Sequence, residues 1–167
     1  MIWYVLLIAA VAVERVAELV VSQRNLAWSR ARGGVEFGAG HYPPMVVLHT
    51  GLLAGCLLEA AYRPFLPALG WSMLAAVLAA QGLRWWCIAT LGQQWNTRVV
   101  VIPDATRVTG GPYRFFSHPN YVAVVVEGIA LPLVHTAWIT AVVFTVLNAV
   151  VLRTRLGVEN AALAGLR

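Results

Sequence analysis

The residues best suited to chemistry are His118 and Pro119, where a polar stretch meets an apolar run. The preceding Gly110-Gly111-Pro112 indicates a turn. A residue before proline favours an extended backbone, and proline suits the first position of a helix, so we expect His118 to stand directly before a helix. The free N–H groups and positive dipole at such a helix end favour a carboxylate ligand. The alternative to such a binding site is a plain capped helix start, with His118 at the membrane interface.

A second pair of interest, Arg155 and Glu159, lies near the end of the sequence with i,i+4 spacing. On a helix this spacing puts both side chains on one face, although arginine first is the weaker order for a surface pair. The alternative to a functional role is therefore that Arg155 and Glu159 form only a weak ion pair on a frayed cytoplasmic helix.

Ionisable residues also occur inside apolar runs, where they are costly and mark either function or a paired interior. Glu14, Arg15 and Glu18 share one helix face, and we interpret them as a neutralised cluster that locks their helix to its neighbours. His49 is expected to be a hydrogen-bonded packing residue. No spacing of His, Cys and Glu typical of a zinc site accompanies it, so no metal site is expected.

The composition excludes a soluble domain. Of 167 residues, 60% are hydrophobic and 11% are charged, and the mean hydropathy is +0.73, whereas soluble proteins average roughly 25% charged residues. The net charge is +5, and all twelve basic residues are arginine. Because no basic run or basic stripe with interleaved aromatic residues occurs, a nucleic-acid partner is not expected. The sequence predicts an integral membrane protein with free cysteines at Cys56 and Cys87.

Apolar runs of spanning length define the remaining elements. The run 121–152 would extend roughly 48 Å as one helix, too long for a hydrocarbon core of about 30 Å. Pro132 and the polar pair His135-Thr136 offer a break, which makes this run a helical hairpin. We therefore predict a single domain over 1–167 that is all-α, with five transmembrane helices, a loop and a tail: spans 2–21, 44–62, 68–91, 121–134 and 136–152, loop 92–120 and tail 153–167.

The arginines set the expected orientation. With five spans, one side of the membrane receives Arg24, Arg30, Arg32, Arg98, Arg107, Arg114, Arg153, Arg155 and Arg167, and the other side receives Arg63. Positive residues accumulate in cytoplasmic loops. We expect a multi-pass protein of the cell membrane with its N-terminus outside and its C-terminus cytoplasmic, ending in a short amphipathic tail helix.

These motifs resemble those of the isoprenylcysteine carboxyl methyltransferase family. The resemblance rests on Gly111-Pro112-Tyr113-Arg114, His118-Pro119-x-Tyr121, the hairpin and the Arg155-x-x-x-Glu159 tail. The N-terminal half is similar to a bacterial branch of alkylpyrone and alkylresorcinol O-methyltransferases, on these residues: Glu14-Arg15, Glu18-Leu19, Arg24-Asn25, Trp28, Glu36-Phe37-Gly38 and His41-Tyr42. The sequence departs from the family pattern at Ser117, where arginine is usual, and at Asn160, where glutamate is usual.

The resemblance implies an S-adenosylmethionine-dependent O-methyltransferase that releases S-adenosylhomocysteine, with its active site on the cytoplasmic side. Its substrate would be a lipophilic small molecule from the bilayer, and membrane lipids would surround it. The implied catalytic residues are Arg155 and Glu159. The implied cofactor-binding residues are Tyr113, Arg114, His118, Pro119, Tyr121 and Glu159.

Several alternatives stay open from the sequence. The acceptor is an enol, a phenol or a carboxylate, and a phenol, with a pKa near 10, would need a base such as Glu159, His118 or Glu59. A prenylcysteine or other carboxyl methyltransferase is the nearest alternative function. Two different classes are a sterol-type membrane reductase and a non-enzymatic membrane subunit.

Overall fold

The computed structural model describes residues 1–103 and 105–164. Five long helices dominate these residues: α1 (Ile2–Arg30), α2 (Tyr42–Ala60), α3 (Pro67–Leu91), α4 (Pro119–Leu133) and α5 (Trp138–Ala164). Two short strands, β1 (Val35–Phe37) and β2 (Val99–Val101), pair antiparallel. Single 3₁₀ turns occupy Ala39–His41, Gly92–Gln94 and Gly111–Arg114.

Within the described residues, the length and composition of three helical stretches suit a membrane span: Ala39–Ala60, Pro67–Gln94 and Trp138–Ala164. The apolar helix α4 is shorter, with 15 residues. Many large apolar side chains on the helices are exposed, among them Leu58, Leu78, Val146 and Val150. A surface of this kind suits a lipid environment, which agrees with the predicted membrane protein.

The predicted break in the run 121–152 is present, because α4 ends at Leu133 and α5 begins at Trp138. Thr136 adopts a positive φ of 56° at the turn. The Ala137 N–H donates to the carbonyl of Pro132 over 2.9 Å. From α2, Glu59 accepts the backbone N–H groups of Ile139 (3.1 Å) and Thr140 (2.8 Å), which caps the start of α5.

The structure refines three expectations about the elements. The described residues are mostly helical, as predicted, and β1 and β2 add a two-stranded sheet whose three-residue strands are too short to be indicated by the sequence. The first helix extends beyond the predicted span 2–21 as far as Arg30, since its polar last turns remain helical. The predicted tail is helical as far as Ala164 and continues α5 without a break. The remaining tail residues 165–167, including Arg167, lie outside the described residues.

A buried cluster of charges joins α1, α3 and α4. Arg84 of α3 contacts Glu127 of α4 at 2.5 Å and Glu18 of α1 at 3.6 Å. Arg15 contacts Glu18 at 2.7 Å and Glu127 at 3.4 Å. The side chains of Glu18, Arg84 and Glu127 are each less than 8% exposed. The predicted neutralised cluster is therefore present, and it includes Arg84, which sequence reasoning did not single out. We name these residues, with Glu14, the ion cluster.

The ion cluster predicts a large loss of stability when Arg84 is replaced by methionine. Arg84→Met leaves Glu18 and Glu127 with one guanidinium between them, and breaking a buried pair costs about 3–5 kcal/mol. The melting temperature of the detergent-solubilised variant should fall clearly below that of the wild type.

The matched control is Arg63→Met, which removes an arginine that is 40% exposed and pairs with Glu59 at 3.3 Å. Exposed pairs contribute about 0–1 kcal/mol, so this variant should melt near the wild-type temperature. The double variant Arg84→Met/Glu127→Leu should recover part of the loss, because Arg15 and Glu18 still pair. Equal melting temperatures for Arg84→Met and Arg63→Met would contradict this role.

Candidate functional site

The segment that follows α3 is held in place by the polar end of α1. The Asn25 side chain donates to the carbonyls of Gly92 (3.2 Å) and Trp95 (2.7 Å). One turn earlier, the Ser22 hydroxyl accepts the backbone N–H of Thr97 at 3.0 Å. These bonds fix the backbone around Trp95 and Thr97, both of which face the site described below.

His118 stands where the sequence predicts, directly before α4, and Pro119 is the buried first residue of that helix. The His118 ring stacks on the ring of Tyr121 with centroids 5.6 Å apart. Its Nε2 lies 3.1 Å from Asn160 Oδ1, and its Nδ1 lies 3.5 Å from Glu159 Oε1. The helix start and the end of α5 therefore meet through side chains from both motifs.

Arg155 is buried between α2, α4 and the segment after α3. Its Nε donates to the Tyr121 hydroxyl at 2.9 Å, and that hydroxyl donates to Glu159. Its two Nη groups reach the carbonyl of Thr97 and the Met45 sulfur, the latter at 3.0 Å. Within residues 1–103 and 105–164, no carboxylate lies within ion-pair distance of Arg155. A buried guanidinium without a carboxylate favours an anionic or strongly polar ligand.

Two cavities of different character meet at this arginine. The apolar chamber has a volume of about 140 Å³ and lies among the helices; most of its surface is apolar and includes the aliphatic side chains of Val46, Leu53, Val124 and Leu152. The polar cavity consists of two adjoining hollows of about 130 and 320 Å³ beside β2. The residues shared by these two hollows are Leu91, Gln94, Val100, Val101, Tyr113, Glu159 and Leu163.

Four residues line both the apolar chamber and the polar cavity, and we call them the shared wall: Trp95, Asn120, Tyr121 and Arg155. Two of their buried polar atoms, Trp95 Nε1 and Asn120 Oδ1, have no hydrogen-bond partner among the residues that the structure describes. Buried polar groups are normally paired, and an unpaired one requires an explanation. A donor and an acceptor without partners at the junction of two cavities fit a polar ligand that binds there.

The structure brings together most of the predicted site residues. Tyr113, His118 and Glu159 line the polar cavity, with Tyr121 and Arg155 in the shared wall. Burial, together with the neighbouring Cys87 thiol, raises the pKa of Tyr113, so its hydroxyl stays protonated at neutral pH and can donate.

Other candidates lie apart from the cavities. Arg114 is exposed, with its guanidinium over the ring of Phe115, and it does not line either cavity. Pro119 shapes the start of α4 but is not among the lining residues. Glu59, a candidate base, caps the opposite end of α5, about 24 Å of helix from Arg155.

Sequence reasoning missed Trp95, Asn120 and Thr97. Asn120 follows the His118-Pro119 pair directly, which was an available signal. Trp95 and Thr97 lie in a loop without a motif, and their place depends on the contacts from α1. Of the two departures from the family pattern, Ser117 lines the polar cavity and Asn160 contacts His118.

The fold and site together define a helical membrane protein with a polar cavity beside an apolar one. The model of the isoprenylcysteine carboxyl methyltransferase (ICMT) family matches residues 73–165, which include the whole shared wall. The chain is also 37% identical over 164 residues to the uncharacterized protein YpbQ of Bacillus subtilis strain 168, covering 98% of this chain and 96% of that protein. The chain belongs to the isoprenylcysteine carboxyl methyltransferase family, a family of membrane methyltransferases whose members use S-adenosylmethionine.

The contacts of Asn25 predict that α1 stabilises the site from outside the matched region. Asn25→Leu leaves the carbonyls of Gly92 and Trp95 without their donor, and such a loss costs about 1–3 kcal/mol. The variant should therefore melt at a lower temperature than the wild type. Gln23→Leu, at an exposed position two residues away, is the control and should melt like the wild type. Similar melting of both variants would show that Asn25 does not hold this segment.

Proposed function

We propose that the protein is an S-adenosylmethionine-dependent O-methyltransferase that methylates a lipophilic acceptor at the cytoplasmic face of the cell membrane. The observation that carries this proposal is the shared wall, which joins a polar cavity to an apolar chamber at one buried arginine. A water-soluble methyl donor and a lipid acceptor need two such compartments with a common boundary. The family supports the methyltransferase class.

The residues of the polar cavity fit S-adenosylmethionine. The Glu159 carboxylate suits an ammonium group or ribose hydroxyls, and the Tyr113 hydroxyl and the His118 ring add hydrogen-bonding groups. Leu91 and Leu163 provide an apolar surface for a purine ring. The unpaired Trp95 Nε1 and Asn120 Oδ1 offer a donor and an acceptor where this cavity meets the apolar chamber. When bound, the cofactor supplies an electrophilic methyl group on a sulfonium.

Arg155 is suited to orient the oxygen that accepts the methyl group. Its Nη1 donates to the sulfur of Met45, and a thioether is a weak acceptor. An oxygen that arrives through the apolar chamber would replace this contact with a stronger, charge-assisted hydrogen bond. The Tyr121 hydroxyl holds the guanidinium in place, because it accepts from Nε and donates to Glu159.

The surroundings favour transfer between opposite charges. The weakly polar surface of the chamber would favour a transition state in which opposite charges are neutralised over separated ions, as transfer of a methyl group from a sulfonium to an anionic acceptor would require. Holding both partners in line adds to the rate. An enolate or a carboxylate needs no base. For a phenol, Glu159 is a suitable base because it contacts Tyr121 of the shared wall, with His118 beside it, whereas Glu59 is too far away.

The acceptor class that we favour is a polyketide lipid of the alkylpyrone or alkylresorcinol type, on the resemblance of the N-terminal residues. A prenylcysteine or other isoprenoid carboxylate is the alternative. Either would enter the apolar chamber from the bilayer and present its oxygen to Arg155.

Substitutions of Arg155 and Glu159 test the two parts of the proposal separately: Arg155 tests the orientation of the acceptor, and Glu159 tests the binding of the cofactor. Arg155→Ala should lower the transfer of labelled methyl groups to a lipid extract by about 10²–10³-fold, because an oriented charged donor is lost. S-adenosylhomocysteine should still raise its melting temperature, since a ligand that binds only the folded state stabilises it. Glu159→Gln should lose much of that stabilisation. The control is Arg153→Ala, at an exposed position two residues before Arg155, which should behave like the wild type.

Measuring the melting temperature of the wild type with each ligand also discriminates between a methyltransferase, a reductase and a non-enzymatic subunit. Stabilisation of the wild type by NADPH instead of S-adenosylhomocysteine would favour a reductase. Stabilisation by neither ligand would favour a non-enzymatic subunit and would overturn the proposal. Wild-type turnover in Arg155→Ala would refute the role given to that residue.

The orientation, with five spans and the N-terminus outside, has its own test. A cysteine added before Met1 should react with a membrane-impermeant maleimide in intact cells, whereas one added after Arg167 should react only after lysis. The native cysteines Cys56 and Cys87 are free and buried, so background labelling should be low. Labelling of both ends in intact cells, or of the C-terminal one alone, would contradict this topology.

A further inference from the structure

Polar side chains also line the apolar chamber, among them His49 of α2 and Asn148 of α5. We call the part of the chamber beside these two side chains its inner end. Asn148 is 3% exposed. Arg15, Glu18 and Arg84 of the ion cluster line the same chamber. A purely hydrocarbon ligand would therefore place apolar atoms against polar side chains.

His49 and Asn148 lie at a similar depth on antiparallel helices. The Met45 sulfur of α2 contacts Arg155, while Glu59 at the other end of α2 contacts Thr140. Between these contacts, the His49 ring packs edge-on against Phe144 with centroids 5.3 Å apart. Asn148 is one turn of α5 beyond Phe144 and seven residues before Arg155, which is about 10 Å along the helix.

The hydrogen bond of His49 indicates which ring nitrogen carries the hydrogen in the neutral ring. Its Nδ1 lies 2.9 Å from the carbonyl of Met45, which can only accept, so Nδ1 carries the hydrogen. In the neutral ring, Nε2 is then an acceptor. The Asn148 amide contains both a donor and an acceptor. Together the two side chains can bind a hydroxyl group, which donates to one and accepts from the other.

We infer that the inner end of the chamber is a subsite for a second oxygen of the methyl acceptor, bound by His49 and Asn148. This inference rests on the proposed function, because it takes the methylated oxygen to lie at Arg155. The acceptor is then a lipid with a hydroxyl or similar hydrogen-bonding oxygen separated from the methylated oxygen by about the 10 Å that divides Asn148 from Arg155 along α5. This separation is larger than that between the two oxygens of a resorcinol or pyrone ring, so in such a lipid the second oxygen would be on the side chain. A plain isoprenoid or alkyl chain lacks the group that this subsite binds.

The test compares two probes in the presence of S-adenosylhomocysteine: octanoate and ω-hydroxyoctanoate. Each has a carboxylate for Arg155, and the second also has a hydroxyl at the far end of a chain of suitable length. Without a polar subsite the hydroxyl would weaken binding in an apolar chamber. We expect the hydroxy acid to bind the wild type more tightly, by about tenfold, in titrations that follow thermal stability.

The shape-matched variants Asn148→Leu and His49→Phe should abolish or reverse this preference. Both should keep the wild-type stabilisation by S-adenosylhomocysteine, which shows that they fold and that the polar cavity is intact. Thr50→Val is the control, because the Thr50 hydroxyl in the chamber lining already donates to the carbonyl of Val46 at 2.9 Å. It should keep the preference.

The outcomes separate the two proposals. If S-adenosylhomocysteine stabilises the wild type but octanoate binds as tightly as the hydroxy acid, or neither acid binds, the subsite is refuted and the methyltransferase proposal stands. A preference that survives in Asn148→Leu and His49→Phe also refutes the subsite. If S-adenosylhomocysteine has no effect on the wild type, the proposed function itself fails.

Discussion

Charges that lie within an apolar interior must be paired, and this constraint organises the protein. Arg15, Glu18, Arg84 and Glu127 come from three helices and contact one another where water is scarce. Separating those helices would expose each charge to a weakly polar environment, at a cost of several kcal/mol. The cluster therefore fixes α1 against α3 and α4. Because α4 begins at His118 and Pro119, the same contacts determine where the helix start and the shared wall lie.

Arg155 differs from the arginines of the ion cluster in its partners, and this difference explains why we place ligand binding there. It is buried as they are, yet its described partners are a hydroxyl, a carbonyl and a thioether. The protein thus holds a guanidinium with unused capacity to bind an anion at the boundary between two cavities. The contacts of Tyr121 and Thr97 keep it there. Within the described residues, a helical frame held by paired charges thus also carries Arg155, whose charge a ligand can balance.

The sequence predicted what depends on local chemistry. Apolar runs indicated the helices, Pro132 and Thr136 indicated the hairpin turn, and the spacing around His118 and Arg155 indicated the residues that meet. It did not predict what depends on packing between distant segments. Trp95 and Thr97 face the site because Asn25 and Ser22 hold their backbone. Arg84 was missed because its partners are on other helices, and Arg114 was included although its side chain turns outward to Phe115.

The most direct test of the central claim is an experimental structure of the protein in a lipid nanodisc with S-adenosylhomocysteine bound. The claim is that a methyl donor in the polar cavity meets an acceptor from the apolar chamber at the shared wall. It predicts that the sulfur of the ligand lies against Tyr121 and Arg155, with the rest of the molecule beside Tyr113 and Glu159. A ligand bound elsewhere, or with its sulfur pointing away from the shared wall, would contradict the claim.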